Sequence, residues 1–334
     1  MDWFVCLLCR LDLVPISIHN AHAWAYFDPF IPSWNFDILK QAEFPVHLLP
    51  KPIQPNIIVG QTKFQWHSII KPGIPVYVAI GDLQAMMYLA LKDNPDAIVL
   101  NMGTSAQICQ LTNIDQIPRK SQLTIQSYDY YPFRNNNNNN EYLLVAPSLN
   151  GGNVLQSFIG FIQSTIKCLT NIDLTPAEIW EKLFHQIPAM TDSKSDQFIS
   201  IKPTLFGERH DLDSVFTVNI SGGKHQPSIF QIINCLCVEL IQNVFNMMPN
   251  ALEMIRENFR KKLPTKILCT GSVISNNPIM QRSLSIVMKR ILSNANGDDQ
   301  NNVETSPLID IEYVDKCDAD VGCALFVVLS GTTE

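Results

Sequence analysis

The chain has 334 residues, 46% of them hydrophobic and 16% charged, with 24 basic and 31 acidic side chains for a formal net charge of −7. That length accommodates two ordinary domains, and that composition excludes global disorder. The acidic balance, with basic residues gathered only in short clusters such as "RKK" at 260–262, argues against nucleic acid and anionic membranes as main partners.

The opening "MDWFVCLLCR" does not read as a secretory signal: its apolar run is short, an acid follows Met1, and the basic residue comes last. No apolar run approaches the roughly 18 residues of a membrane span. Nine cysteines, most of them in apolar segments ("VCLLC", "IINCLCVEL", "KILCTG"), read as reduced, buried thiols and imply a reducing, cytoplasmic setting. "CLLC" at 6–9 has redox spacing but no second pair, which favours structural thiols. His19 and His22 are spaced like metal ligands on a helix, yet no third ligand accompanies them, so a structural role is expected.

Residues 11–73 are rich in Pro, Trp and His and weak in period. "WNFDILKQAEF" (34–44) predicts a helix capped by Asn35, and the prolines of "LPKPIQPNIIVG" (49–60) predict extended chain. In "VYVAIGDLQAMMYLAL" (76–91) a buried strand breaks at Gly81 and becomes a helix. Asp82 stands at that break, either as a helix cap or as a carboxylate presented to a ligand.

Strands are expected at 97–103, 106–112 and 141–150, the first two joined tightly by "GTS"; the asparagine tract 135–140 reads as a surface loop. "GGNVLQSFIGFIQSTI" predicts a helix, with Val154, Phe158, Ile162 and Ile166 in register. A helix at about 228–248, the strand "KILCTG", a helix at 277–292, the strand "DIEYV" and a helix at 318–330 follow, with 293–306 a polar loop. A leading hairpin followed by αβ crossovers predicts an α/β fold: a mixed sheet with helices on both faces, the ribonuclease-H-like layout of actin-like ATPases.

Glycines stand where four of these strands end: Gly81, Gly103, Gly151-Gly152 and Gly271. Strand ends are where open α/β sheets bind ligands. Glycine turns bring backbone amides close to phosphate, and "NGG" before a helix places a helix N-terminus at an anion site.

Five segments in order, "GIPVYVAIGDLQAMMYLAL", "VLNMGTSAQI", "LNGGNVLQSFI", "PTLFGERHDLDSVFTVNIS" and "CTGSVISNNPIMQ", resemble the motifs of the FGGY carbohydrate kinases. "GDLQ", "NAHAWAYFD", "FPVHLLP" and "LNGGNV" resemble the branch of that family acting on sedoheptulose. The resemblance runs over nearly the whole chain and implies a sugar and ATP as partners, with Mg²⁺. It implies Asp82 as the base at the sugar hydroxyl and Gln84 as a sugar contact. Gly103, Thr104, Gly151, Gly152, Gly271, Ser272, Ser275 and Asn276 are implied as ATP-binding. "GERHD" (207–211) matches a Gly-Glu-Arg element, in which Glu208 and Arg209 are expected as an ion pair beside the site.

The family's opening Asp-x-Gly-Thr turn has no counterpart here. Residues 1–91 are therefore expected to be the remnant of a first lobe and 92–334 a complete second lobe. Two outcomes stay open: a ketose kinase, or a non-catalytic product that binds nucleotide weakly or associates with a partner. A general actin- or chaperone-like ATPase would share the fold but leave "GDLQ" unexplained.

Overall fold

Prolines and aromatic residues break the first eighty residues into short elements. These are α1 (Asp2–Cys9), β1 (Pro15–Ser17), α2 (Ile18–His22), β2 (Phe27–Asp28), β3 (Ser33–Trp34), α3 (Phe36–Gln41), a 3₁₀ turn (Val46–Leu48), β4 (Lys51–Ile53), β5 (Ile58–Gln61) and β6 (Pro75–Tyr77). The computed structural model describes residues 1–113, 127–136, 139–187, 198–221, 226–293, 308–314 and 319–331. The early strands pair only two by two: β1 with β4, β2 with β3, β5 with β6. A small core of Ile16, Ile18, Ala21, Phe27, Trp34 and Leu39 holds part of this region together. Asn35 caps α3 as expected, its side chain accepting the Ile38 N–H.

The rest of the chain continues with α4 (Asp82–Ala90), β7 (Ile98–Met102), β8 (Ala106–Asn113), β9 (Asp129–Asn136), β10 (Asn139–Ser148), α5 (Gly152–Thr170) and α6 (Pro176–Phe184). It then forms β11 (Ile199–Lys202), β12 (Thr217–Ile220), α7 (Ile229–Asn246), α8 (Pro249–Lys261), β13 (Thr265–Thr270), α9 (Ser272–Ser275), α10 (Pro278–Ser293), β14 (Ile309–Tyr313) and α11 (Ala319–Gly331). Six strands make the main sheet in the order β14-β13-β7-β8-β10-β9. Neighbours from β14 to β7 run parallel and those from β7 to β9 antiparallel, which is the mixed sheet expected.

Both faces of this sheet are covered, so its central strands are apolar at nearly every position. Ile98, Leu100, Ile108, Leu144 and Ile267 share a core with Val154 of α5, Leu236 of α7 and Leu284 of α10. The alternate residues Val99, Cys109, Leu143, Val145 and Leu268 pack with Met87 and Leu91. Although the expected boundary falls after residue 91, α4 thus packs on the main sheet, and α11 lies on α4 with Gly322 against the Ala85 carbonyl.

Several features differ from the sequence expectation, which did not include α8, β11 or β12. Strand β9 was not expected, because Pro132 interrupts it; it is accommodated at the sheet edge, beside a register shift between Glu141 and Tyr142. Part of the asparagine tract is strand: Asn135 and Asn136 pair with Asn140 and Asn139 in the β9–β10 hairpin, and residues 137–138 lie outside the described residues. The strand expected before Asp82 shrinks to Pro75–Tyr77. Helix α6, opened by a Thr175–Glu178 capping box with Pro176 at its first turn, was also missed, and most of the 293–306 tract lies outside the described residues.

Candidate active site where three glycine turns meet

The β7–β8 hairpin closes at the Met102–Ala106 pair, leaving Gly103, Thr104 and Ser105 as its tip. The carbonyls of Gly103 and Thr104 accept the N–H groups of Gly152 and Asn153, each at 2.9 Å. A Cβ on Gly151 would lie 2.6 Å from the Ser105 carbonyl carbon, and one on Gly152 would lie 2.7 Å from the Gly103 oxygen. Gly271, at φ +90°, would place a Cβ 2.5 Å from the Met102 oxygen. Only residues without side chains let three strand ends approach this closely. The structure therefore brings Gly103, Thr104, Gly151, Gly152, Gly271 and Ser272 together.

One expectation changes in detail. The first amides of α5 do not stand free for an anion, because Gly152 and Asn153 donate to the hairpin and Val154 to the Asn153 side chain. Asn153 also accepts from Gly151 N–H and donates to the Leu149 carbonyl, locking the turn. The exposed part of the cradle is the hairpin tip, where Thr104 and Ser105 are solvent-accessible.

Beside the cradle lies a cavity of about 650 Å³ between α5, α6 and the β13–α10 connection. Leu155 and Ile159 line one wall, Trp180 and Phe184 another, and Ser272 and Asn276 the rim. The Trp180 and Phe184 rings stack at 5.7 Å with 26° between their planes. Its size and its apolar walls with a few amides are those of a small-molecule pocket. Ser275 gives its carbonyl to Gln281 Nε2, while Asn277 caps α10 by accepting from Ile279 and Met280 N–H.

Asp82 is the first residue of α4, and Gly81, in extended conformation, holds the cap position. The Asp82 carboxylate is exposed and accepts the Leu83 N–H at 2.7 Å. An acid there is favoured by the helix dipole, so the exposed carboxylate is held at a fixed place. Gln84, expected to meet sugar, instead turns inward: it is 4% exposed, donates to the Pro132 carbonyl at 3.4 Å, and rests against Gly81. It ties the Asp82 turn to β9.

The expected Glu208–Arg209 ion pair does not form. Arg209 is exposed, whereas Glu208 is buried and accepts from Ser148, Leu149, Asn150 and Asn243. The two histidines also look inward. His19 Nε2 lies 2.7 Å from the Phe133 carbonyl, and burial pushes its imidazole down to about 4. His22 lies 3.5 Å from Asp129 and meets the Tyr131 ring edge-on. In "CLLC", Cys6 donates to the Leu11 carbonyl and Cys9 is buried against Gly60.

Over 283 residues, 85% of this chain, the sequence is 31% identical to human sedoheptulokinase. The chain is thus similar in sequence to sugar kinases of the FGGY carbohydrate kinase family. Mouse (Mus musculus) sedoheptulokinase is 30% identical over the same length of alignment. The chain spans about half the length of these curated relatives, 55% and 56%. No protein-family profile matches it. Solved FGGY-kinase structures share its fold: Plasmodium falciparum glycerol kinase with ADP superposes with a TM-score of 0.64 at 16% identity, covering 100% of this chain and 57% of its own. Xylulose kinase from Rhodospirillum rubrum gives 0.65 at 13% identity, covering 100% and 58%.

Sequence reasoning missed Trp180 and Phe184. Their spacing in "PAEIWEKLF" is that of any amphipathic helix, so the sequence carries a signal for the helix but none for the cavity.

Proposed function

We propose that the protein transfers the γ-phosphoryl group of ATP to a primary hydroxyl of a ketose, with sedoheptulose as acceptor and its 7-phosphate as product. The observation that carries this reading is the cradle of Gly103, Gly152 and Gly271 opening beside the Trp180–Phe184 cavity. Adenine enters between α5 and α6, with Ser272 and Asn276 at its ribose side, whereas Ser275, its hydroxyl buried, does not line the cavity. The phosphates extend to the hairpin tip, where the Thr104 and Ser105 amides and hydroxyls hold them.

Phosphoryl transfer asks for positioning, charge neutralisation and a base at the nucleophile. Asp82 supplies the base: exposed and anchored by one backbone amide, it accepts the proton of the attacking hydroxyl. Gln84 holds that turn from within. Mg²⁺ arrives on the nucleotide phosphates. Sugar and nucleotide are the partners, and the cytoplasm the setting.

A second reading, nucleotide binding without transfer, is favoured by one observation. The described residues before α4 form only two-stranded sheets, a slight frame for closing on an acceptor.

The test is ADP release by the native protein with ATP, Mg²⁺ and a panel of ketoses. Sedoheptulose-dependent release above that with xylulose and fructose supports the first reading. Nucleotide binding with no release for any sugar supports the second.

A further inference from the structure

Glu208 is 2% exposed, and the hydrogen-bond partners of its carboxylate are all neutral donors. Oε1 accepts from Ser148 Oγ at 2.6 Å, from Asn243 Nδ2 at 2.8 Å and from Asn150 Nδ2 at 3.0 Å. Oε2 accepts the Leu149 N–H at 3.1 Å. Three of these donors lie on the strand end running into Gly151 and Gly152, and the fourth is on α7. Leaving water is costly for a carboxylate unless its acceptor sites are filled, and here four donors fill them.

The donors cannot rearrange freely. Asn150 Oδ1 accepts the Phe206 N–H at 3.0 Å, while its Nδ2 also donates to the Gly207 carbonyl at 2.7 Å, so the amide cannot flip. Ser148 Oγ accepts the Asn150 N–H at 3.0 Å, which directs its own proton to Glu208.

We propose that Glu208 is a positioning residue for the nucleotide cradle: its carboxylate, accepting four hydrogen bonds, sets Ser148–Asn150 so that Gly151 and Gly152 meet the Gly103–Ser105 hairpin. The proposal rests on the reading that these turns hold nucleotide. A glutamine at 208 would be nearly isosteric but could not serve. With its oxygen toward Asn150 and Asn243, its NH₂ would face the Leu149 N–H; reversed, it would face two amide donors. Either way the turn loses a fixed partner.

The test is calorimetric titration of ADP with Mg²⁺ into the 334-residue chain, below the unfolding temperature of each variant. Glu208→Gln is expected to weaken ADP about tenfold or more, and Asn243→Ala, which removes only the α7 donor, about threefold. Ile255→Ala, a buried α8 residue, serves as a control that lowers Tm while leaving affinity within about twofold. Should Glu208→Gln fail to fold, Asn243→Ala against Ile255→Ala decides. Unchanged ADP affinity in a folded Glu208→Gln, or a loss matched by Ile255→Ala, overturns the proposal and leaves the nucleotide site standing. A wild-type chain that binds no ADP overturns the site itself, and the proposal with it.

Discussion

The carbonyl of Gly103 accepts the Gly152 N–H at 2.9 Å, and a Cβ on Gly152 would stand 2.7 Å from that same oxygen. The hydrogen bond that joins hairpin to helix therefore depends on a missing side chain. Gly152→Ala should push the two turns apart, because the methyl meets backbone on one side and Val273 Cγ2, also at 2.7 Å, on the other. Overpacking of this kind costs about 1–3 kcal/mol. The expected outcome is a lower Tm and weaker ADP binding, read by thermal melting and calorimetry; a variant with wild-type ADP affinity would show that the turns need not touch.

Asp82→Asn keeps the shape of the side chain and removes its basicity. Turnover with the ketose should fall about a hundredfold or more, the usual loss of a general base. ADP affinity should hold, since Asp82 lines neither the cradle nor the cavity. Steady-state kinetics of the native protein check this, and a kcat close to wild type would remove Asp82 from the reaction.

Gly322 is where α11 crosses α4, and a Cβ there would run into the Ala85 carbonyl. Gly322→Ala should displace α11 from the helix that presents Asp82. Because carbonyl and methyl cannot both keep their places, a loss of about 1–3 kcal/mol is expected. Chemical denaturation measures it. Turnover should fall while ADP affinity stays, distinguishing this contact from those of the cradle.

His19 gives a pH dependence with a definite sign. Burial lowers its imidazole from 6.5 to about 4 in the folded chain, where it donates to the Phe133 carbonyl as a neutral group. Between those values the unfolded chain binds the extra proton, so stability is full above 6.5 and is lost as the pH falls toward 4. At pH 5 the loss from this group is about 2 kcal/mol relative to pH 7. Denaturation curves at the two pH values should show a smaller difference in His19→Gln; an equal difference would assign the acid lability to other groups.

The glycines of the cradle were legible in the sequence because their demand is local: a strand end, a turn and a close backbone approach all select against a side chain. The mixed sheet was legible for the same kind of reason, since apolar runs such as "AIVLNMG" announce strands buried on both faces. Other parts depended on distant partners. Glu208 suggested a pair with its neighbour Arg209, but its partners stand 35 to 60 positions away in the chain. Gln84 read as a sugar contact, yet a β9 carbonyl draws it inward, and β9 was itself hidden by Pro132. Trp180 and Phe184 look like core residues until α5 and α6 leave a cavity between them.

Photolabelling with azidoadenosine triphosphate, followed by peptide mapping of the 334-residue chain, tests most directly whether the cradle and its cavity hold adenine nucleotide. Label displaced by unmodified ADP is expected in α5 and α6, within residues 152–184, with little elsewhere. Displaceable label confined to residues 1–80, or none that ADP displaces, would contradict the account.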